Sequence, residues 1–235
     1  VHWPPIVTEG KPLVSRDGVA VYVGSNQDFS LHAVQASDGS KLWTYETGSW
    51  VRSRPVQTHQ GHNEATLFIG SGDRKLHAVR AVDGSPAWNS PYSALGEVYG
   101  NPVVSHDDTV VYITSVHNYM VHAVNVADGT SKWTTQTTTH SGGSWIYTSP
   151  VLSPDGMCLF VCDYQRNLYK IRTSDGQILY QQAFGRNSAP VFNAAGTILY
   201  LASKAYSHWS WGATGGSCDE ACEAEGGVCQ EDMFH

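Results

Sequence analysis

Leu31-His32-Ala33-Val34, followed by Asp38-Gly39 and then Trp43, is the stretch that decides how this chain is read. The same elements return as Leu76-His77-Ala78-Val79, Asp83-Gly84 and Trp88, and again as Val121-His122-Ala123-Val124, Asp128-Gly129 and Trp133. The step is 45 residues both times (31 to 76 to 121). A degraded fourth copy, Leu168-Tyr169-Lys170-Ile171 with Asp175-Gly176 and Tyr180, lies 47 residues further on. Self-similarity at a fixed period is the signature of a repeat architecture, and several features held in phase over four copies are not a chance pattern.

The segments between these anchors read as strands. One series is Val19–Gly24, Thr66–Gly70, Val110–Thr114 and Cys158–Cys162, with Ile198–Ala202 as a fifth member. Each is short, rich in β-branched or aromatic residues and bounded by turn formers. A second series opens with proline: Pro12-Leu13-Val14, Pro55-Val56-Gln57, Pro102-Val103-Val104, Pro150-Val151-Leu152 and Pro190-Val191-Phe192. Proline lacks an N–H, so it should start such a strand rather than sit inside a central one. Each repeat therefore supplies four strand signals, the composition of one antiparallel propeller blade. No helical periodicity competes, and a β-sandwich would lack the phased super-period.

The expected fold is all-β, a β-propeller with about four full four-stranded blades and a partial fifth. Residues 1–203 carry the repeats, at approximately 12–50, 51–96, 97–144, 145–186 and a partial 187–203, followed by a linker at 204–217 and an acidic Cys-rich tail at 218–235. Four and a half blades leave an open edge, which invites unwanted strand pairing unless it is covered. The expectation is more ring than is visible, or a protein partner on that edge. The opening Val1-His2-Trp3 has no initiator Met and reads as a processed chain or a fragment.

The spacing of Leu-x-Ala-hydrophobic, Asp-Gly and Trp resembles the quinoprotein-type, or PQQ-like, propeller repeat. In that family the repeated Trp packs between neighbouring blades; Trp43, Trp88 and Trp133 match the position, and Tyr180 departs from it. The resemblance covers about Pro12 to Ser203 and implies architecture more than activity, since dehydrogenases, assembly-factor propellers and sensor domains share the repeat. Family members that bind the quinone resemble much longer chains with a calcium site, a catalytic Asp and often a vicinal Cys pair. No adjacent Cys pair occurs here, and the acidic residues of the body mostly occupy Asp-Gly turns, where Asp suits the turn itself.

Composition narrows the function classes. The net charge is −7, but six acidic residues (Asp219, Glu220, Glu223, Glu225, Glu231, Asp232) lie beyond Cys218 with no Lys or Arg among them. The body is left with 14 basic and 15 acidic residues, giving no electrostatic footprint for nucleic acid. Charged residues are only 15% of the chain while Trp (8) and Tyr (12) are plentiful, which suits a strand-rich domain. The longest apolar run, Met157 to Cys162, is far too short to cross a bilayer. No Gly-rich phosphate loop, nucleophile elbow or His-Glu-x-x-His site is present.

His32, His77 and His122 invite a metal reading, but equivalent positions in successive blades stand a blade width apart. Their alternation with Leu and Ala points to a place on a strand surface instead. The expectation is therefore no catalytic residue, no metal and no cofactor. Trp50, Trp145 and Tyr147, just ahead of the proline-bearing strands and beside the flexible His140–Ser144, are the candidate partner-binding residues, suited to a peptide or a sugar. No N-glycosylation sequon occurs.

The tail carries Cys218, Cys222 and Cys229, candidates for disulfides, with zinc as the alternative for a Cys-x3-Cys spacing. It resembles small Cys-rich modules of secreted and lumenal eukaryotic proteins, algal ones in particular. Cys158 and Cys162 share a strand face but stand about 13 Å apart along it, too far to bond each other. Taken together, the expected function is a non-catalytic scaffold making protein–protein contacts in an extracytoplasmic or lumenal assembly. The rivals are a fragment of a quinone- and calcium-dependent dehydrogenase and a carbohydrate-binding propeller.

Overall fold

The computed structural model describes residues 10–137, 145–164, 167–183, 190–193 and 198–200. Every regular element among them is a β-strand. The first blade is β1 (Leu13–Val14), β2 (Ala20–Gly24), β3 (Ser30–Gln35) and β4 (Lys41–Glu46), hydrogen-bonded in that order. The second is β5 (Val56–Gln57), β6 (Thr66–Gly70), β7 (Lys75–Arg80) and β8 (Tyr92–Ser93), and the third is β9 (Val103–Val104), β10 (Val110–Ser115), β11 (Met120–Asn125) and β12 (Ser131–Gln136). The fourth is β13 (Val151–Leu152), β14 (Cys158–Cys162), β15 (Asn167–Arg172) and β16 (Ile178–Ala183). A two-stranded start of a fifth, β17 (Val191–Phe192) with β18 (Leu199–Tyr200), follows. All pairings are antiparallel and each blade is a meander, as expected of an all-β propeller.

The core lies between blades rather than within them, because each strand sends alternate residues to opposite faces. Ala20, Tyr22, Leu31, Ala33 and Trp43 of the first blade meet Leu67, Ile69 and Val79 of the second. Phe68, Leu76, Ala78 and Trp88 meet Val111, Ile113 and Val124 in the same way. The third junction joins Tyr112, Val121 and Ala123 to Leu159, Val161 and Ile171.

The repeated Trp closes each junction. Trp43 Nε1–H donates to the carbonyl of Ala81, Trp88 to that of Val126 and Trp133 to that of Thr173, each at 2.8 Å and each one blade on. Each indole also packs on an aromatic of its own blade, stacked on Tyr22 and tilted against Phe68 and Tyr112, with ring centroids 5.5–5.9 Å apart. Tyr180 sits at the fourth position with its hydroxyl buried and without a hydrogen-bond partner among the described residues.

The Asp-Gly turns explain why the Trp fits. Asp38, Asp83, Asp128 and Asp175 each accept a hydrogen bond from the backbone N–H two residues on, at 2.8–3.0 Å. The following glycine holds a left-handed φ of 70–77° in all four copies. At Gly84, Gly129 and Gly176 a Cβ would come within 2.6–2.7 Å of the preceding blade's Trp ring, so glycine is required both by backbone and by contact.

Two differences from the sequence expectation have physical causes. In the second blade the outer strand is cut to Tyr92–Ser93, with only an isolated Val79–Pro86 bridge ahead of it, whereas its counterparts run six residues. Pro86 cannot donate to the ladder. His32, His77 and His122 are also not surface residues: all three are buried. Cys158 and Cys162 are not bonded to each other. Cys218, Cys222 and Cys229, the linker and His140–Ser144 lie outside the described residues.

Candidate interaction face

The segments that carry each chain crossing from the outer strand of one blade to the inner strand of the next share one pattern, counted back from the strand-opening proline. Four residues before Pro55, Pro102 and Pro150 stand Val51, Val98 and Ile146, all fully buried. Val51 lies against Gly24 and Val98 against Gly70, so closely that a Cβ on either glycine would fall 2.4 Å from that valine. With that residue pinned inward, the residues on either side of it are turned outward.

Those flanking positions are Trp50 and Arg52, Glu97 and Tyr99, and Trp145 and Tyr147. The carbonyls of Trp50, Glu97 and Trp145 accept the backbone N–H of Gly72, Val116 and Tyr164 from the next blade's turn, at 2.8–2.9 Å.

The outward residues form one continuous array across the junctions. The Arg52 guanidinium lies 4.6 Å from the Trp50 ring centroid and 5.0 Å from that of Tyr99, a cation held between two aromatic faces. Tyr99 and Tyr147 stack with centroids 6.3 Å apart and planes within 2°. Trp145 then stands at right angles to Tyr147 at 5.8 Å, and it also meets His117 and Tyr164. Trp50, Trp145 and Tyr147 remain 44%, 39% and 45% exposed. Leu95, in a left-handed conformation (φ 62°) on the same crossing as Glu97, is 76% exposed. A large apolar residue held outward at strained φ is a feature of functional surfaces.

The charged groups beside the array are engaged with one another. Glu97 binds His117 Nδ1 at 2.5 Å and lies 3.8 Å from Arg74 Nε. Burial pushes its carboxyl up, but the hydrogen bond and charge of His117, its own backbone N–H and the charge of Arg74 together bring the net shift downward. Burial raises the Asp73 carboxyl, but hydrogen bonds from His77, the Gly48 N–H and Ser71, with the charge of His77, together bring it below its ordinary value.

The sequence singles out Trp50, Trp145 and Tyr147, and the structure brings Trp145 and Tyr147 into contact and links Trp50 to them through Arg52 and Tyr99. Arg52, Tyr99, His117 and Tyr164 escape a reading of the sequence alone. Alignment on the three prolines is the signal that would have found Arg52 and Tyr99.

The buried histidines form a second feature, and two of them, His77 and His122, are bonded across a blade junction. His77 Nε2 lies 3.0 Å from an Asp73 carboxylate oxygen, and its Nδ1 lies 3.0 Å from the Tyr45 hydroxyl. His32 has Asp28 and Thr44 in the corresponding places. His122 has Ser115 and Tyr92 instead of a carboxylate, because Asn118 stands where Asp73 stands one blade earlier. In the fourth blade Tyr169 replaces the histidine and donates to Asp163 at 2.9 Å. Each is satisfied by its neighbours and buried. No group of three metal-ligating side chains occurs among the described residues.

At the other end of the inner strands an open recess of about 420 Å³ is lined by Arg16, His59 and His106 above an apolar floor. His59 is paired with Asp108 there.

The interleaved blades, the Asp-Gly turns and the inter-blade Trp define a PQQ-type β-propeller with an aromatic face on its crossing loops. Residues 27–187, more than half of the chain, match the family model described as Outer membrane protein assembly factor BamB, and the chain belongs to that family. No curated protein matches it.

Proposed function

We propose that this chain is a non-catalytic propeller scaffold that holds a protein partner on the loop face carrying Trp50, Arg52, Tyr99, Tyr147 and Trp145, in an extracytoplasmic assembly. The observation that carries the reading is the continuous array on three successive crossings, exposed while its charged neighbours are paired among themselves. Aromatic residues and Arg are the side chains that concentrate binding energy at protein interfaces. The family's description as an outer membrane assembly factor supports both the scaffold role and the compartment. The candidate structural residues, Trp43, Trp88, Trp133 and the Asp-Gly turns, would serve this face by fixing the angle between blades.

The test is co-purification with the tagged full chain from its native source, comparing the parent with a Trp50→Ala, Trp145→Ala, Tyr147→Ala triple variant of unchanged melting temperature. The reading expects a stoichiometric partner that the triple variant loses. Retention of every partner by the triple variant contradicts it.

A further inference from the structure

Resting on that reading, we propose that the aromatic face takes a proline-rich, polyproline-II segment of the partner protein. Two of the eight tryptophans, Trp50 and Trp145, differ from the repeat tryptophans in how they use the indole N–H. Trp43, Trp88 and Trp133 each spend the indole N–H on a carbonyl of the next blade. The indole N–H groups of Trp50 and Trp145, and the Tyr147 hydroxyl, have no hydrogen-bond partner among the described residues. They present donors beside exposed ring faces.

Polyproline II is the backbone that matches this pairing. It makes no internal hydrogen bonds, so its carbonyls face outward as acceptors, and its proline rings pack on aromatic side chains. Two residues of that helix advance about 6 Å. The Tyr99–Tyr147 and Tyr147–Trp145 centroid separations are 6.3 Å and 5.8 Å. Trp145 and Tyr147 meet edge to face and both remain partly exposed, so two ring surfaces at right angles are offered for a proline ring to pack on.

Charge also selects a neutral occupant. Glu97 is held by His117 and Arg74, Asp73 by His77, and Arg52 lies between two rings. A sugar would need side-chain acceptors as well as donors around the rings. The nearby carboxylates are committed, and Asn118 is engaged with Ser115 and the Ala94 carbonyl.

The experiment is selection of displayed random 12-residue peptides on the immobilised full chain, followed by calorimetry with the enriched synthetic peptides. Enrichment of sequences with prolines two or three residues apart is expected. Their affinity should fall at least tenfold with Trp145→Ala and with Tyr147→Ala, and change less than twofold with Met157→Ala at the opposite end. Trp50→Ala supplies an independent variant should either of the first two fold poorly. Enriched peptides without proline, or affinity indifferent to all three aromatic substitutions, overturn the proposal. So does Trp145-dependent binding of maltohexaose or chitohexaose with no peptide enriched, which assigns the face to sugars. If the triple variant still loses its native partner while no proline-rich peptide binds, only the ligand class fails. If partner binding is indifferent as well, the docking face itself is wrong.

Discussion

The Tyr45 hydroxyl and His77 Nδ1 belong to different blades yet lie 3.0 Å apart, and the Tyr92 hydroxyl and His122 Nδ1 repeat the relationship at the same distance one junction later. At the first two junctions the outer strand of one blade thus clips onto the third strand of the next through a buried polar pair, in parallel with the Trp-to-carbonyl bond. Two clips of different chemistry constrain the junction more than either alone, because each fixes a separate point on the facing sheets.

Tyr45→Phe removes the donor and leaves His77 Nδ1 buried without a partner. A loss of about 1–2 kcal/mol is expected in equilibrium urea unfolding. Stability equal to that of the parent would show that the clip contributes nothing.

Acid sensitivity follows from His122. Burial lowers its pKa from 6.5 to about 4. The folded state therefore disfavours the protonated ring, so stability is fully present above the unfolded value and is lost as pH falls from about 6.5 towards 4. The loss amounts to about 3 kcal/mol over that window. His122→Gln should flatten this part of the pH–stability curve, whatever it does to the absolute level. An unchanged slope would place the sensitivity elsewhere.

Two glycines separate backbone cost from contact cost. Gly18 has φ 72° and nothing within 4 Å of a built Cβ, whereas Gly129 has φ 74° and the Trp88 ring at 2.7 Å. Gly18→Ala should cost about 1 kcal/mol, the left-handed penalty alone. Gly129→Ala should cost roughly 3 kcal/mol, because the indole must also move. Equal costs measured by thermal unfolding would mean that the Trp is not seated on the turn.

The dehydrogenase rival makes a direct demand. Incubation of the full chain with pyrroloquinoline quinone and calcium is expected to give neither a bound chromophore after gel filtration nor dye reduction with alcohols or sugars. A stoichiometric chromophore would contradict the non-catalytic reading.

Much of this architecture is legible before any coordinates. The 45-residue step, the Asp-Gly pairs and Trp43, Trp88 and Trp133 are local signals tied to one turn and one contact, so they survive in every copy. Less legible are features that depend on how blades meet. His77 and His122 are covered in part by Tyr45 and Tyr92 of the preceding blade, which strand alternation alone does not reveal. Tyr99 and Arg52 look like ordinary loop residues until Pro55, Pro102 and Pro150 are superposed and the buried Val51, Val98 and Ile146 fall into line. Pro86 could have warned of the broken outer strand in the second blade, but the phased Trp88 beside it reads as strand.

Docking of partners on the loop face, and not on the opposite end, is open to one direct measurement. A photo-reactive phenylalanine analogue placed at Tyr147, and separately at Met157, puts the question to both ends of the same molecule; Met157 is 66% exposed at the far turns. After irradiation in the native assembly, a discrete adduct of one partner mass from position 147 and none from 157 is predicted. Adducts from 157 alone, or the same adduct from both positions, would contradict the account.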